Sequence, residues 1–372
     1  MMHADDVWAS STGSGITVAV IDSGVDRTLP DLQGQVLPGK DFSGEPGDEY
    51  TDLNGHGTVM AVLITGTGKG VGGAGTKGLA PDAKILPLRV TGEGDRGARV
   101  DGETSTTSAI RFAADSPAKI INISMGAPAR SEAEEKAIEY AISKGKLIFA
   151  SVGNGGQEGN LPEYPAAVPG VVGVGAIGKD AKVTAESERG PQVALVAPGD
   201  DMITTCPRRT GLCSGHGTSA STALASASAA LVWSKHPDWT ANQVLRVLIN
   251  TAGHPKSGDK RNDQVGYGLA RPRVALTDPG DPGPADIHPL TGKQTSRLAA
   301  STSPQLAKPS ARPTVDSAVN SARDDGGGSS TKWIVGGMGA AALICVAIAV
   351  PFAINRRRSR LQSTGSPSRY RP

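Results

Sequence analysis

Asp22, His56 and Ser219 have the side-chain types and the chain order of a set that transfers acyl groups. A hydroxyl attacks a carbonyl well only when a neighbouring base takes its proton. An imidazole serves as that base when a carboxylate fixes its tautomer and steadies the cation that forms. The apolar run ITVAVI (16–21) leads straight into Asp22, with Ser23 and Gly24 behind it. This puts the carboxylate at the C-terminal end of a strand, the edge on which parallel α/β sheets build their sites. His56 lies between two glycines in Asn54-Gly55-His56-Gly57-Thr58, at the start of a helix where bulk beside the ring has been removed. Gly217-Thr218-Ser219 opens the long small-residue helix SASTALASASAALVWSKH. A hydroxyl there faces N–H groups that favour developing negative charge.

Two further residues bear on the same chemistry. Asn154 follows the apolar run KLIFAS (146–151) in a glycine-rich turn, where its side-chain amide is available as a hydrogen-bond donor. His216, in a second Gly-His-Gly-Thr only three residues before Ser219, is a rival base to His56.

These residues need a frame, and the apolar runs provide one. Besides 16–21 and 146–151, the segments 84–90, 119–124, 171–177 and 193–198 are short, nearly continuous apolar stretches separated by helical patterns. Strands of that kind are buried on both faces, which predicts a parallel sheet covered by helices on each side. Ser131, with Glu134 three residues on, forms a capping box opening a helix that Gly145 ends, and Thr240 with Gln243 starts another through about 250. Aromatic residues are only 3% of the chain while glycines number 49, so the core must be built from Ala, Val, Ile and Leu at close backbone distances.

The blocks VIDSGVD, NGHGT and GTSAS resemble the subtilisin-like (subtilase) family over roughly residues 7–277, and GLAPDAKILPLRV, NISMG and ASVGNGG extend the likeness. The resemblance implies an α/β, three-layer subtilisin-like fold with a mainly parallel central sheet. It also implies a serine endopeptidase acting on protein or peptide substrates, with Ser219 as nucleophile, His56 as base, Asp22 orienting it and Asn154 in the oxyanion hole. Ser124, Met125 and Gly126 match the segment that lines the primary specificity pocket. Some positions depart from the family pattern: Ala220, Ser221, Thr222 and Ala223 replace the usual Met-Ala-x-Pro, and Val59 replaces a His. These departures bear on efficiency more than on mechanism. The family's calcium loop is not recognisable, so no metal and no cofactor are expected.

Beyond the expected peptidase domain (1–277), residues 278–332 are rich in Pro, Ser, Ala and Gly, which predicts a flexible stalk. Residues 333–354 carry no charge and are long enough to cross a bilayer, with Lys332 before them and arginines in the tail 355–372 after them. This predicts a single transmembrane helix contacting lipid, a cytoplasmic tail and an extracytoplasmic catalytic domain. Export would need a leader, and none is evident at the start, so one is expected upstream of Met1. The competing arrangement is a tail anchor with the large domain in the cytoplasm. Cys206 and Cys213 are candidates for a disulfide, with two free thiols as the alternative. A net charge of +2, with no basic block in the first 277 residues, argues against nucleic acid as a partner. The membrane segment narrows the resemblance to the mycosins, membrane-anchored subtilases of type VII secretion systems, and implies that membrane complex as a partner. The alternative to a protease is a structural subunit that stabilises such a complex with weak or silent peptidase activity.

Overall fold

In chain order the strands are β1 (Thr17–Asp22), β2 (Lys40–Asp41), β3 (Lys84–Arg89), β4 (Arg99–Val100), β5 (Glu103–Thr104), β6 (Ile120–Ile123), β7 (Leu147–Ser151), β8 (Val172–Ile177), β9 (Val193–Pro198), β10 (Met202–Thr205) and β11 (Leu212–Gly215). Seven of them form one sheet in the order β2-β3-β1-β6-β7-β8-β9, and every neighbouring pair is parallel. The six apolar runs all fall in this sheet, with ends within one residue of those expected. The computed structural model describes residues 2–295, apart from 71–72, 91–98, 101–102, 208–210 and 256.

Because successive side chains on a strand point to opposite faces, each buried strand serves two cores. Val18 and Val20 of β1 and Phe149 of β7 belong to one core, with α2 (His56–Thr65), α5 (Thr218–Lys235) and α6 (Ala241–Asn250). Ala19 and Ile21 of β1, with Ile148 and Ala150 of β7, face the other, where α3 (Ser105–Asp115) and α4 (Glu132–Ser143) pack. The result is the expected three-layer α/β arrangement.

Helix α5 is apolar or small nearly all round and lies across β6, β7, β8 and β9. A helix with so little bulk can approach a sheet closely, but its buried hydroxyls then need partners. Ser221 donates to Ala197 O at 2.9 Å, Ser226 to Asn122 Oδ1 at 2.9 Å and Ser228 to Leu224 O at 2.7 Å. Thr222 Oγ1 likewise donates to Thr218 O at 2.8 Å, so both hydroxyls among the unusual residues after Ser219 are paired. Ser131 Oγ accepts from Glu134 N–H at 3.4 Å, the serine half of the expected capping box, and Thr240 and Gln243 make the full reciprocal box of α6.

The chain beyond α7 (Pro272–Thr277) departs from the expected stalk. Residues 278–295 pack against α6: the Arg246 guanidinium donates to the carbonyls of Pro282, Pro284 and Ile287, and Asn242 Nδ2 donates to Ala285 O. His288 is buried. A Pro- and Gly-rich segment has little apolar surface to bury, yet here its carbonyls are held by side chains of the helix beneath. Among the described residues no helix is long and apolar enough to cross a membrane. The expected span 333–354, the rest of the stalk and the tail lie outside the described residues.

Candidate active site

The strand register brings the chemistry together. Ile21 of β1 lies opposite Ile123 of β6, and Ile123 opposite Ala150 of β7. Asp22, Ser124 and Ser151 therefore follow one another along the same C-terminal edge, with Asn154 in the turn just beyond. Asp22 is 1% exposed, and its Oδ1 accepts from the Ser23 N–H at 2.8 Å and lies 2.8 Å from His56 Nδ1. A carboxylate only accepts, so the proton of the imidazole sits on Nδ1, and Nε2 is the nitrogen that carries the lone pair of a base.

His56 begins α2, and its placement depends on glycine on both sides. Gly55 has φ +88°, a backbone conformation open to glycine. A Cβ on Gly57 would stand 3.0 Å from Asp22 Cβ and strike the Gly24 carbonyl, so only glycine lets the helix start this close to the end of β1. The turn before it is organised by Asp52, which had no role in the sequence reading. Its carboxylate accepts from the N–H groups of Gly55 (2.8 Å) and Thr58 (2.9 Å), while the Ser23 hydroxyl lies 2.9 Å from its Oδ1. An acid two residues before Asn-Gly is the signal that could have identified it as a turn organiser.

Ser219 is the second residue of α5, where N–H groups lack intrahelical acceptors. Its Oγ donates to Ser124 O at 2.8 Å, and Ser124 Oγ donates to Ser219 O at 3.1 Å, tying the helix start to the end of β6. Asn154 Oδ1 accepts from the backbone N–H and hydroxyl of Thr218, at 3.0 and 3.1 Å. Two donors fix which end of the amide faces the helix, and Nδ2 is left to donate elsewhere. Met125 packs against the α3 and α4 core, and Gly126 lies against Glu163.

His216 makes a separate pairing. Its Nδ1 bonds both carboxylate oxygens of Glu186, at 3.0 and 2.9 Å, and the Glu186 hydrogen bond and charge raise its pKa above the usual histidine value. Cys206 and Cys213 form a disulfide with Cα atoms 5.1 Å apart, closing the β10–β11 hairpin. Next to Cys206, the Pro207 ring lies where a side chain on Gly55 would go. Among the described residues no cluster of side chains is arranged to hold a metal ion.

Residues 13–268 match the subtilase family. The chain is 34% identical to subtilisin E of Bacillus subtilis (strain 168) over 246 residues, covering 65% of this chain and 61% of that protein. It is also 34% identical to a subtilisin of Bacillus pumilus, of which it covers 85%. The chain thus spans about three fifths of the length of several curated relatives it matches. Among solved structures it is similar to MycP1 from Mycobacterium smegmatis, with a TM-score of 0.64 and 30% identity over 76% of this chain and 85% of that one. It is likewise similar to the MycP3 protease from the type VII (ESX-3) secretion system, with a TM-score of 0.61 and 30% identity over 74% and 86%. The matched span takes in Asp22, His56, Asn154 and Ser219, and the chain belongs to the subtilase family.

Proposed function

We propose that this chain is a serine endopeptidase that cuts peptide bonds through an acyl-enzyme on Ser219. The observation that carries the reading is the 2.8 Å contact between His56 Nδ1 and the buried Asp22, on the sheet edge that also bears Ser124 and Asn154. In the resting arrangement the Ser219 hydroxyl donates to Ser124 O, so catalysis begins when it turns toward His56 Nε2. Nε2 takes the proton as Oγ bonds to the scissile carbonyl carbon. The carbonyl oxygen, now an anion, is held by Asn154 Nδ2 and the Ser219 N–H. The C–N bond then breaks, the imidazolium gives its proton to the departing amine, and water repeats the sequence to release the acid. Backbone groups of Ser124 and Gly126 at the open end of β6 pair with the extended substrate as an added strand.

The mycosin-like reading places the domain at the outer face of a bacterial membrane, held by a span at 333–354, beside a type VII secretion complex. The likeness to MycP1 and MycP3 supports that context, and the charge-free run with its arginine flank supports the anchor. Membrane association that resists high salt and is lost on removing 333–354 would bear out the anchor; release by salt alone would exclude it.

A fluorophosphonate probe tests the catalytic reading on the purified full chain. Labelling at Ser219 that disappears in His56→Ala and persists in His216→Ala is the expected result. A folded chain that takes no label would leave the secretion-complex subunit with silent peptidase activity as the function.

A further inference from the structure

The gap between the end of β6 and the turn after β7 is bordered by glycines and holds two carboxylates. A Cβ on Gly126 would come 2.6 Å from Glu163 Oε2, and one on Gly153 would come 2.7 Å from the carboxyl carbons of both Glu163 and Glu188. One on Gly155 would lie 2.9 Å from Glu188 Oε1. Two acids from separate loops therefore meet in this gap. Glu163 is carried there by the backbone bridge of Tyr164 with Ala127, whose two hydrogen bonds are 2.8 and 3.0 Å. Glu188 is carried there by its own N–H, which donates to Gly153 O at 3.1 Å.

Glu188 is 2% exposed, yet its Oε2 has no hydrogen-bond partner among the described residues. A buried carboxyl oxygen without a partner, held beside a second acid, is unfavourable in the free protein. Burial first, and the charge of Glu163 second, raise the pKa of Glu188 from 4.5 to about 7. A cation entering the gap would reverse both effects, favouring the ionised form and giving the free oxygen a donor.

The gap also lies where a substrate side chain must go. Ser219 Oγ is 2.8 Å from Ser124 O, and Asn154 directly follows Gly153. A carbonyl seated between Ser219 and Asn154, on a strand running beside 124–126, sends its own residue's side chain between the two glycine walls. We propose that Glu163 and Glu188 form the floor of a pocket that selects substrates with arginine or lysine on the acyl side of the cleaved bond. This rests on the serine peptidase reading above. Such a cation would ion-pair with the carboxylates and lend its N–H donors to Glu188 Oε2, while a neutral chain would leave the acids as they are.

The test uses the full chain and matched fluorogenic peptides that differ only at this residue: Arg, Lys, Gln, Leu or Ala. We expect kcat/KM for Arg and Lys to exceed that for Gln, Leu and Ala by about tenfold or more. Glu163→Gln and Glu188→Gln should each shrink the Arg to Gln ratio, a quantity that does not depend on how much of a preparation is folded. A parent chain that prefers Leu or Ala, or treats Arg and Gln alike, overturns the pocket even if neither variant can be purified. Fluorophosphonate labelling separates the two failures. A labelled parent that prefers neutral residues loses only the acidic pocket, whereas an unlabelled parent overturns the peptidase reading and the pocket with it.

Discussion

Asn154 illustrates how one side chain is committed by its neighbours. Thr218 occupies its Oδ1 with two donors, so the amide presents Nδ2 in a fixed direction and meets no rotational cost when an oxyanion forms. Asn154→Ala removes that donor but none of the Asp22 and His56 contacts. The expected outcome is a fall of about 10²–10³ in kcat with KM little changed, measured on a single peptide substrate. Glu188 carries a pH dependence of stability. Its pKa of about 7 in the folded chain exceeds the ordinary 4.5, from burial first and then the Glu163 carboxylate, against which the Gly155 N–H works in favour of the ionised form. Between those values the folded state keeps a proton that the unfolded chain has released. The contribution is therefore fully present below about pH 4.5 and lost as pH rises through 7. Thermal denaturation of Glu188→Gln should accordingly match the parent near pH 4 and exceed it at pH 8, by on the order of 2 kcal/mol. Equal stabilities at pH 8 would mean that Glu188 ionises without penalty.

At the scale of elements, the site is a matter of where strands stop and helices start. Asp22 ends β1, His56 begins α2, and Gly57 lets the two approach. Gly57→Ala would push the start of α2 off β1 and carry the imidazole with it. Misplacement on the scale of an ångström costs about a hundredfold in rate, so kcat/KM should fall by that order. A variant with unaltered kcat/KM would show that the helix start adapts without moving the ring. Much of this level was legible in the sequence. Buried parallel strands carry unbroken apolar runs, and the six that stood out are the six long strands of the sheet. Edge strand β2 escaped because Lys40–Asp41 has no apolar run, and the β10–β11 hairpin because the exposed Ile203 and Leu212 stand among polar residues. The residues of the candidate site were readable since each sits in a local pattern of strand end, glycine and helix start. Glu163 and Glu188 were not. Each has the surroundings of a loop acid, and only the tertiary path of two loops places both against Gly153.

For the whole described molecule, composition misled at one boundary. The segment 278–295 has the Pro and Gly content of a linker, yet it binds α6 through Arg246 and Asn242 and buries His288. A chain cut after Thr277 should therefore melt at a lower temperature than one cut after Thr295, because the Arg246 guanidinium loses three carbonyl partners at once. Equal melting temperatures would mean that 278–295 adds nothing to the fold. The position of Ser219 sets the mode of failure on heating. The proposed nucleophile is borne by α5, the helix buried against four strands of the sheet as well as α2, α6 and α7, and the start of that helix is tied to β6 by two hydrogen bonds. Elements packed so centrally open only with the global transition, unlike lids and loops that open at little cost. Loss of activity and loss of tertiary structure should then follow a single curve on heating, with no temperature at which a folded but inactive population accumulates, and the remaining active fraction at any temperature becomes a direct count of folded molecules.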